Sequence, residues 1–150
     1  MNESTVKIRL MKADDFSAIV GIDERVLKAS RPEYYRMRFE KFVTSKDYVP
    51  TSLVAESQDG TIVGFVMGEL YIGEYGISED RATLDTIGVD PAYQDKGVGR
   101  RLINEFMDHL KRLGVRRVNT LVDWNDGNLV KFFGVNKFSP STTINLARNI

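Results

Sequence analysis

The 150-residue chain contains no cysteine and a single histidine, His109. The first absence excludes a disulfide framework, a thiol nucleophile and a thiolate metal site. The second excludes a histidine-rich metal cluster, and no metal is expected. An excess of one charge is also missing. Lys and Arg number 21, Asp and Glu number 21, so no global basic field exists to hold nucleic acid. No apolar run approaches membrane-spanning length, and the first residues lack the apolar core of a signal peptide. These absences predict a cytoplasmic protein with neither nucleic acid nor a membrane as partner. What is present is a packing composition: 42% hydrophobic residues with only 4 prolines argues against disorder. The length suits one domain, 1–150, with a real core. No internal repeat or linker divides it.

Periodicity then divides the chain into elements. Residues 5–10 alternate polar and apolar, as a half-buried first strand does. Phe16, Ile19, Val20 and Ile22 follow at helical spacing after Ala13-Asp14-Asp15. Arg31-Pro32-Glu33 opens a second helix, with Pro where its missing N–H costs little. Residues 53–56 and 62–70 read as strands joined by Gln58-Asp59-Gly60, a hairpin signal. Residues 71–80 form a loop, and 82–89 form the next strand. A long amphipathic helix is predicted over 98–113, ended by Gly114. Strand 115–122, a loop over 123–128, a short helix around 129–133 and a final alternating strand, 142–147, complete the order.

The most informative stretch is 87–103. An apolar strand ending Val89-Asp90-Pro91 leads through Gln94-Asp95-Lys96-Gly97-Val98-Gly99 into Arg100-Arg101-Leu102. Glycines let the backbone approach an anion, and a helix start points N–H groups at it. That six-residue spacing, at this place in this order of elements, resembles the pyrophosphate motif of the GNAT superfamily of acyl-CoA N-acyltransferases. The resemblance covers roughly residues 5–148 and is most specific over 84–133. It implies an α/β (α+β) fold with a mixed, mostly antiparallel sheet of six to seven strands flanked by about four helices.

The implied activity is acetyl transfer from acetyl-CoA to a primary amine, of a small molecule or a peptide, by direct attack in a ternary complex. The implied donor surface is the backbone of Ile87, Gly88 and Val89 for the pantetheine arm. Amides of Gln94, Asp95, Lys96, Gly97, Val98, Gly99 and Arg100 would take the pyrophosphate, and Asn125 and Phe132 extend the surface. An alternative keeps the cradle without catalysis, as a non-catalytic acyl-CoA-binding or regulatory module. Its support is Phe133, which stands where many members carry the tyrosine that protonates the departing thiolate. A phenyl ring cannot donate a proton, so the general acid is left unassigned. Asp126 in place of the usual Asn and Lys137 in place of Gly depart further from the family pattern.

For the base, strand alternation places Thr83, Asp85, Ile87 and Val89 on one face, and members of the resembled family carry a carboxylate or histidine at that level. Asp85 is the candidate general base; the competing reading is a strand carboxylate paired with a basic neighbour. Tyr34 and Arg38 from one side, Glu74 and Tyr75 from the other, are the candidate acceptor-binding residues. Trp124 is read as pocket wall or core packing. Lys111-Arg112 suits the end of a helix dipole. A homodimer is an open option.

Overall fold

The computed structural model describes residues 5–44, 49–71 and 80–150. Five strands form one sheet: β1 Lys7–Leu10, β2 Leu53–Glu56, β3 Ile62–Tyr71, β4 Arg81–Val89 and β5 Arg117–Thr120, ordered as numbered. The first four pair antiparallel, while β4 and β5 run parallel. Four α-helices flank the sheet: α1 Phe16–Leu27, α2 Pro32–Thr44, α3 Val98–Arg112 and α4 Gly127–Val135. This is the expected mixed, mostly antiparallel architecture.

Two cores cover the two faces. Ile19 and Ile22 of α1, Tyr35 and Phe39 of α2, and Val54, Phe65 and Met67 of the sheet form one. The other packs Val98, Leu102, Ile103, Phe106 and Leu110 of α3 on Leu53, Ala55, Val63, Val66, Ala82 and Leu84. The apolar spacing of α3 is thus its sheet-facing stripe. Each of those buried side chains stabilises by roughly 1.5–3 kcal/mol relative to exposure. The approach of α3 is close enough to require glycine beneath it. A Cβ on Gly68 would lie 2.5 Å from the Phe106 ring and 2.3 Å from the Thr83 carbonyl oxygen.

Two sequence expectations are corrected here. The sheet has five strands among the described residues, not six or seven. Residues 142–147 form no strand; they are extended and exposed, with Ile144 and Leu146 more than four-fifths accessible. Alternation marks a segment that could form a half-buried strand, but a strand also needs a pairing partner, and this segment pairs with none of the five strands. Trp124 is also neither wall nor core, being 90% exposed. β5 is shorter than the 115–122 strand expected from the sequence, and α4 is longer than the 129–133 pattern.

A second departure matters for function. Met67 pairs with Thr86 but Gly68 pairs with Leu84, leaving Asp85 as one extra residue on β4. This is a β-bulge, and one inserted residue reverses the phase of alternation beyond it. Ala82 and Leu84 face α3 before the bulge; Ile87 and Val89 pack on that same core after it. Thr83, Asp85, Ile87 and Val89 therefore do not share a face. Instead the neighbours Asp85 and Thr86 both turn toward α2, where their partners lie.

Candidate active site

The site begins where two parallel strands part. β5 pairs with β4 from Arg81↔Arg117 to Leu84↔Thr120, and β4 then runs on to Val89 paired with β3 only. Thr120 Oγ1 donates to the Leu84 carbonyl at 2.9 Å, at the point of the fork. Beyond it, the main-chain groups of alternate β4 residues face β3 and the opening. Asp90 N–H bonds Val63 O at 2.8 Å, so by alternation Ile87 and Val89 turn their N–H and C=O groups into the fork. A cavity of about 220 Å³ lies there, lined among others by Tyr34, Asp85, Thr86, Gly88, Leu129 and Phe133. A larger concavity, about 670 Å³ between α3, β5 and residues 136–142, shares no lining residue with it. That one lies along the outer edge of β5 and is lined by no residue of β4 or of the glycine loop.

The anion cradle adjoins the end of β4. Pro91–Tyr93 form a short 3-10 turn capped by Asp90, whose carboxylate accepts from Ala92 N–H and pairs with Arg25 at 2.8 Å. Gln94 Nε2 donates to Val89 O at 3.0 Å, which ties the loop to the strand. Asp95 (φ 61°) and Gly97 (φ 83°) then adopt left-handed backbone, a conformation natural to glycine. Gly97 is the N-cap of α3 and has no side chain to occupy the helix start. The amides of Val98 and Gly99 precede Arg101 N–H, the first intrahelical donor, which bonds Gly97 O at 3.0 Å, and so have no acceptor within the helix. Lys96 Nζ sits 5.8 Å from the Tyr93 ring centroid, beside the loop. Gly99 has a packing reason as well: a Cβ there would meet the Phe132 ring at 3.1 Å and Val89 at 3.7 Å. α4 is thereby brought against the start of α3.

α4 starts on Asp126, whose carboxylate accepts from Leu129 N–H at 3.1 Å. Asp replaces Asn there without loss of the cap, since either side chain accepts. Phe132, Phe133 and Phe138 stack edge to face, with centroids 5.4 and 5.1 Å apart. Phe133 is buried in the α3 core and lines the fork. Asn125 is exposed in the turn before α4.

On the opposite wall α2 supplies the polar groups. Arg38 donates to Asp85 Oδ2 at 2.6 Å and lies 3.9 Å from Glu69; Lys41 completes the cluster on Glu69. Burial works to lower the Arg38 pKa, but Asp85, Tyr34 and Glu69 outweigh it and raise it above its ordinary value. Asp85 Oδ1 accepts from Thr83 at 3.1 Å. Tyr34 bonds Thr86 Oγ1 at 2.9 Å, with the Arg31 and Arg38 guanidiniums 4.6 and 4.7 Å from its ring centroid. Behind it, Tyr35 is fully buried and donates to Asp23 at 2.7 Å, and Arg31 forks onto the same carboxylate. Burial and the Asp23 bond push the Tyr35 phenol well above its ordinary pKa, so it is a structural group.

The structure thus brings Tyr34, Arg38, Asp85, Ile87, Gly88 and Phe133 to one fork, with Val89, Gln94, Lys96, Gly97, Val98, Gly99 and Phe132 at its adjoining end. Glu74 and Tyr75 lie outside the described residues. Sequence reading missed Thr86, whose facing follows from the bulge, and the double arginine stack on Tyr34, which the i,i+3 and i,i+4 spacing of Arg31, Tyr34 and Arg38 could have signalled. No local pattern signals a bulge at Asp85.

Comparison with known proteins agrees with this geometry. Residues 16–134 match the acetyltransferase (GNAT) family. The N-alpha-acetyltransferase RimI of Mycobacterium tuberculosis is 32% identical over 133 residues, covering 83% of this chain and 81% of that protein. The mycothiol acetyltransferase of Propionibacterium freudenreichii is 33% identical over 91 residues, and the chain spans only 28% of its length. Among solved structures, an aminoglycoside acetyltransferase from an uncultured soil sample superposes with a TM-score of 0.77 at 18% identity, covering 99% of this chain and 98% of that one. The Escherichia coli ribosomal-protein-S18-alanine N-acetyltransferase superposes at 0.73 with 22% identity over 91% and 79%. The chain belongs to the acetyltransferase (GNAT) family of N-acetyltransferases.

Proposed function

We propose that the protein transfers an acetyl group from acetyl-CoA to a primary amine of a small molecule or peptide, within a ternary complex. The observation that carries this reading is the parting of β4 from β5 directly beside a glycine-capped helix start. An open strand edge and an anion cradle in line fit an extended chain ending in a pyrophosphate. The residues present suit such a group. Val98 and Gly99 amides with Lys96 would hold the phosphates, and Ile87 and Val89 would pair with the amide-bearing arm. A related structure is described as a complex with a bisubstrate analogue of CoA and acetylneamine, which supports the donor assignment.

In the fork, a backbone N–H near Val89 would polarise the thioester carbonyl. Holding two substrates together supplies much of the rate. Asp85 is proposed to take the amine proton, directly or through one water. Both its oxygens are engaged by Thr83 and Arg38, and each retains a further lone pair for such a water. The relative named as an N-alpha-acetyltransferase makes a peptide N-terminus the first acceptor to try. The non-catalytic reading rests on Phe133 alone.

Two measurements test the proposal. Acetyl-CoA should raise the melting temperature, and CoA release should appear with at least one member of a panel of amino acids, polyamines and peptide N-termini. No thermal shift removes the donor assignment. A shift without turnover on any amine leaves the binding-module reading.

A further inference from the structure

Phe133 creates a specific deficit: the expected phenol is missing from a fork otherwise equipped for transfer. Among the described residues lining that fork, one other phenol is present. Tyr34 reaches across from α2 and lines the same cavity as Phe133, Thr86 and Gly88. Its hydroxyl is anchored to Thr86 Oγ1 at 2.9 Å, one residue past the bulge.

We propose that the Tyr34 hydroxyl supplies the proton to the departing thiolate sulfur, in place of the phenol that Phe133 lacks. The inference rests on the acetyl-transfer reading above and adds a general acid to it. The amine nitrogen forms a C–N bond to the carbonyl carbon, the C–S bond breaks, and its electron pair stays on sulfur. The Tyr34 O–H bond then breaks and the proton goes to sulfur, leaving a phenolate. The nitrogen sheds one proton through Asp85 or water, and that proton restores the phenol. One proton leaves nitrogen and one arrives at sulfur, so the cycle closes.

The surroundings of Tyr34 suit a transient negative charge. Arg31 and Arg38 lie over its ring, the arrangement of a cation–π pair, and both cations attract a phenolate. Their counter-ions are Asp23 for Arg31 and Asp85 for Arg38, with Glu69 3.9 Å from Arg38. Tyr35 meets the Tyr34 ring edge-on at 4.9 Å. Thr86, with one donor and two acceptor lone pairs, accepts or donates as the phenol changes state.

The test compares the unmutated protein with Tyr34→Phe. Two acceptors serve as probes: a peptide with an N-terminal alanine, and hydroxylamine, a small neutral nucleophile that needs no recognition and whose uncatalysed attack on the thioester is subtracted. Tyr34→Phe should slow turnover by about 10²-fold or more while keeping the acetyl-CoA thermal shift. With both probes kcat should fall while the KM for acetyl-CoA stays unchanged. Loss of a merely structural tyrosine would disturb binding together with rate, and a phenol placed elsewhere in the fork would not repair it. Adding Phe133→Tyr to Tyr34→Phe should return part of the rate, since a phenol is restored to the fork. Turnover that survives Tyr34→Phe at the unmutated kcat overturns the role of Tyr34 alone. Absence of turnover by the unmutated protein with both probes overturns it together with the transfer reading.

Discussion

Arg38 Nη1 lies 2.6 Å from Asp85 Oδ2, and Asp85 is the single residue by which β4 outruns β3. The bulge and the ion pair are one feature. Without the extra residue, Thr86 would turn to the α3 face and could not meet Tyr34. With it, two adjacent side chains of β4 face α2, beside the strand edge that opens where β5 stops pairing.

Asp85→Asn should slow turnover and change its pH profile, with acetyl-CoA affinity little altered, because the donor cradle lies at the far end of the fork. The variant keeps the shape but weakens both the proton acceptor and the partner of Arg38. Steady-state rates from pH 5 to 9, with the thermal shift as control, check this. Unchanged rates across that range would remove Asp85 from the chemistry.

Gly97→Glu should abolish the thermal shift given by acetyl-CoA. A carboxylate would be placed where anion-binding amides converge, on a backbone at φ 83° that costs a non-glycine residue about 1 kcal/mol or more. Unliganded stability should therefore drop modestly while the ligand-dependent part vanishes. A ligand saturating at 100 times its Kd would add about 2.7 kcal/mol, so the loss is easily read by scanning fluorimetry.

Gly68→Ala should destabilise by about 1–3 kcal/mol, because its Cβ would collide with the Thr83 carbonyl and the Phe106 ring. Gly127→Ala is the contrast. A Cβ at Gly127 would meet nothing within 4 Å, and alanine favours the helix by up to about 1 kcal/mol. Chemical denaturation of the two variants should give opposite signs.

Acid stability should depend on Asp15, which is buried and paired with Arg9 at 2.9 Å. Burial pushes its carboxyl upward, but bonds from Arg9 and the Lys12 amide outweigh this and hold it below the ordinary 3.8. A depressed folded-state pKa contributes stability that is present above the unfolded value and lost as pH falls through the folded one. Asp15→Asn should therefore destabilise by about 1–3 kcal/mol near pH 7, and the difference from the unmutated protein should shrink below about pH 4. A pH-independent difference would place the effect in packing instead.

Local sequence was sufficient wherever the information is itself local. The cradle is legible because left-handed backbone favours glycine at position 97 and a helix start needs no side chain to bind an anion. The stripe of α3 is legible because one face of a helix repeats at fixed spacing. The phenyl at position 133 announces a missing proton donor from its chemistry alone. Tertiary structure decided the rest. Strand parity along β4 depends on how β3 pairs with it, so the faces of Asp85, Thr86, Ile87 and Val89 could not be counted from one strand. The fork depends on where β5 stops, and β5 is only four residues long although the strand pattern runs over 115–122. The tail at 142–147 has the alternation of a strand but no edge partner, so its pattern went unused. Pairing between segments distant in sequence determines all three, and only the folded chain contains it.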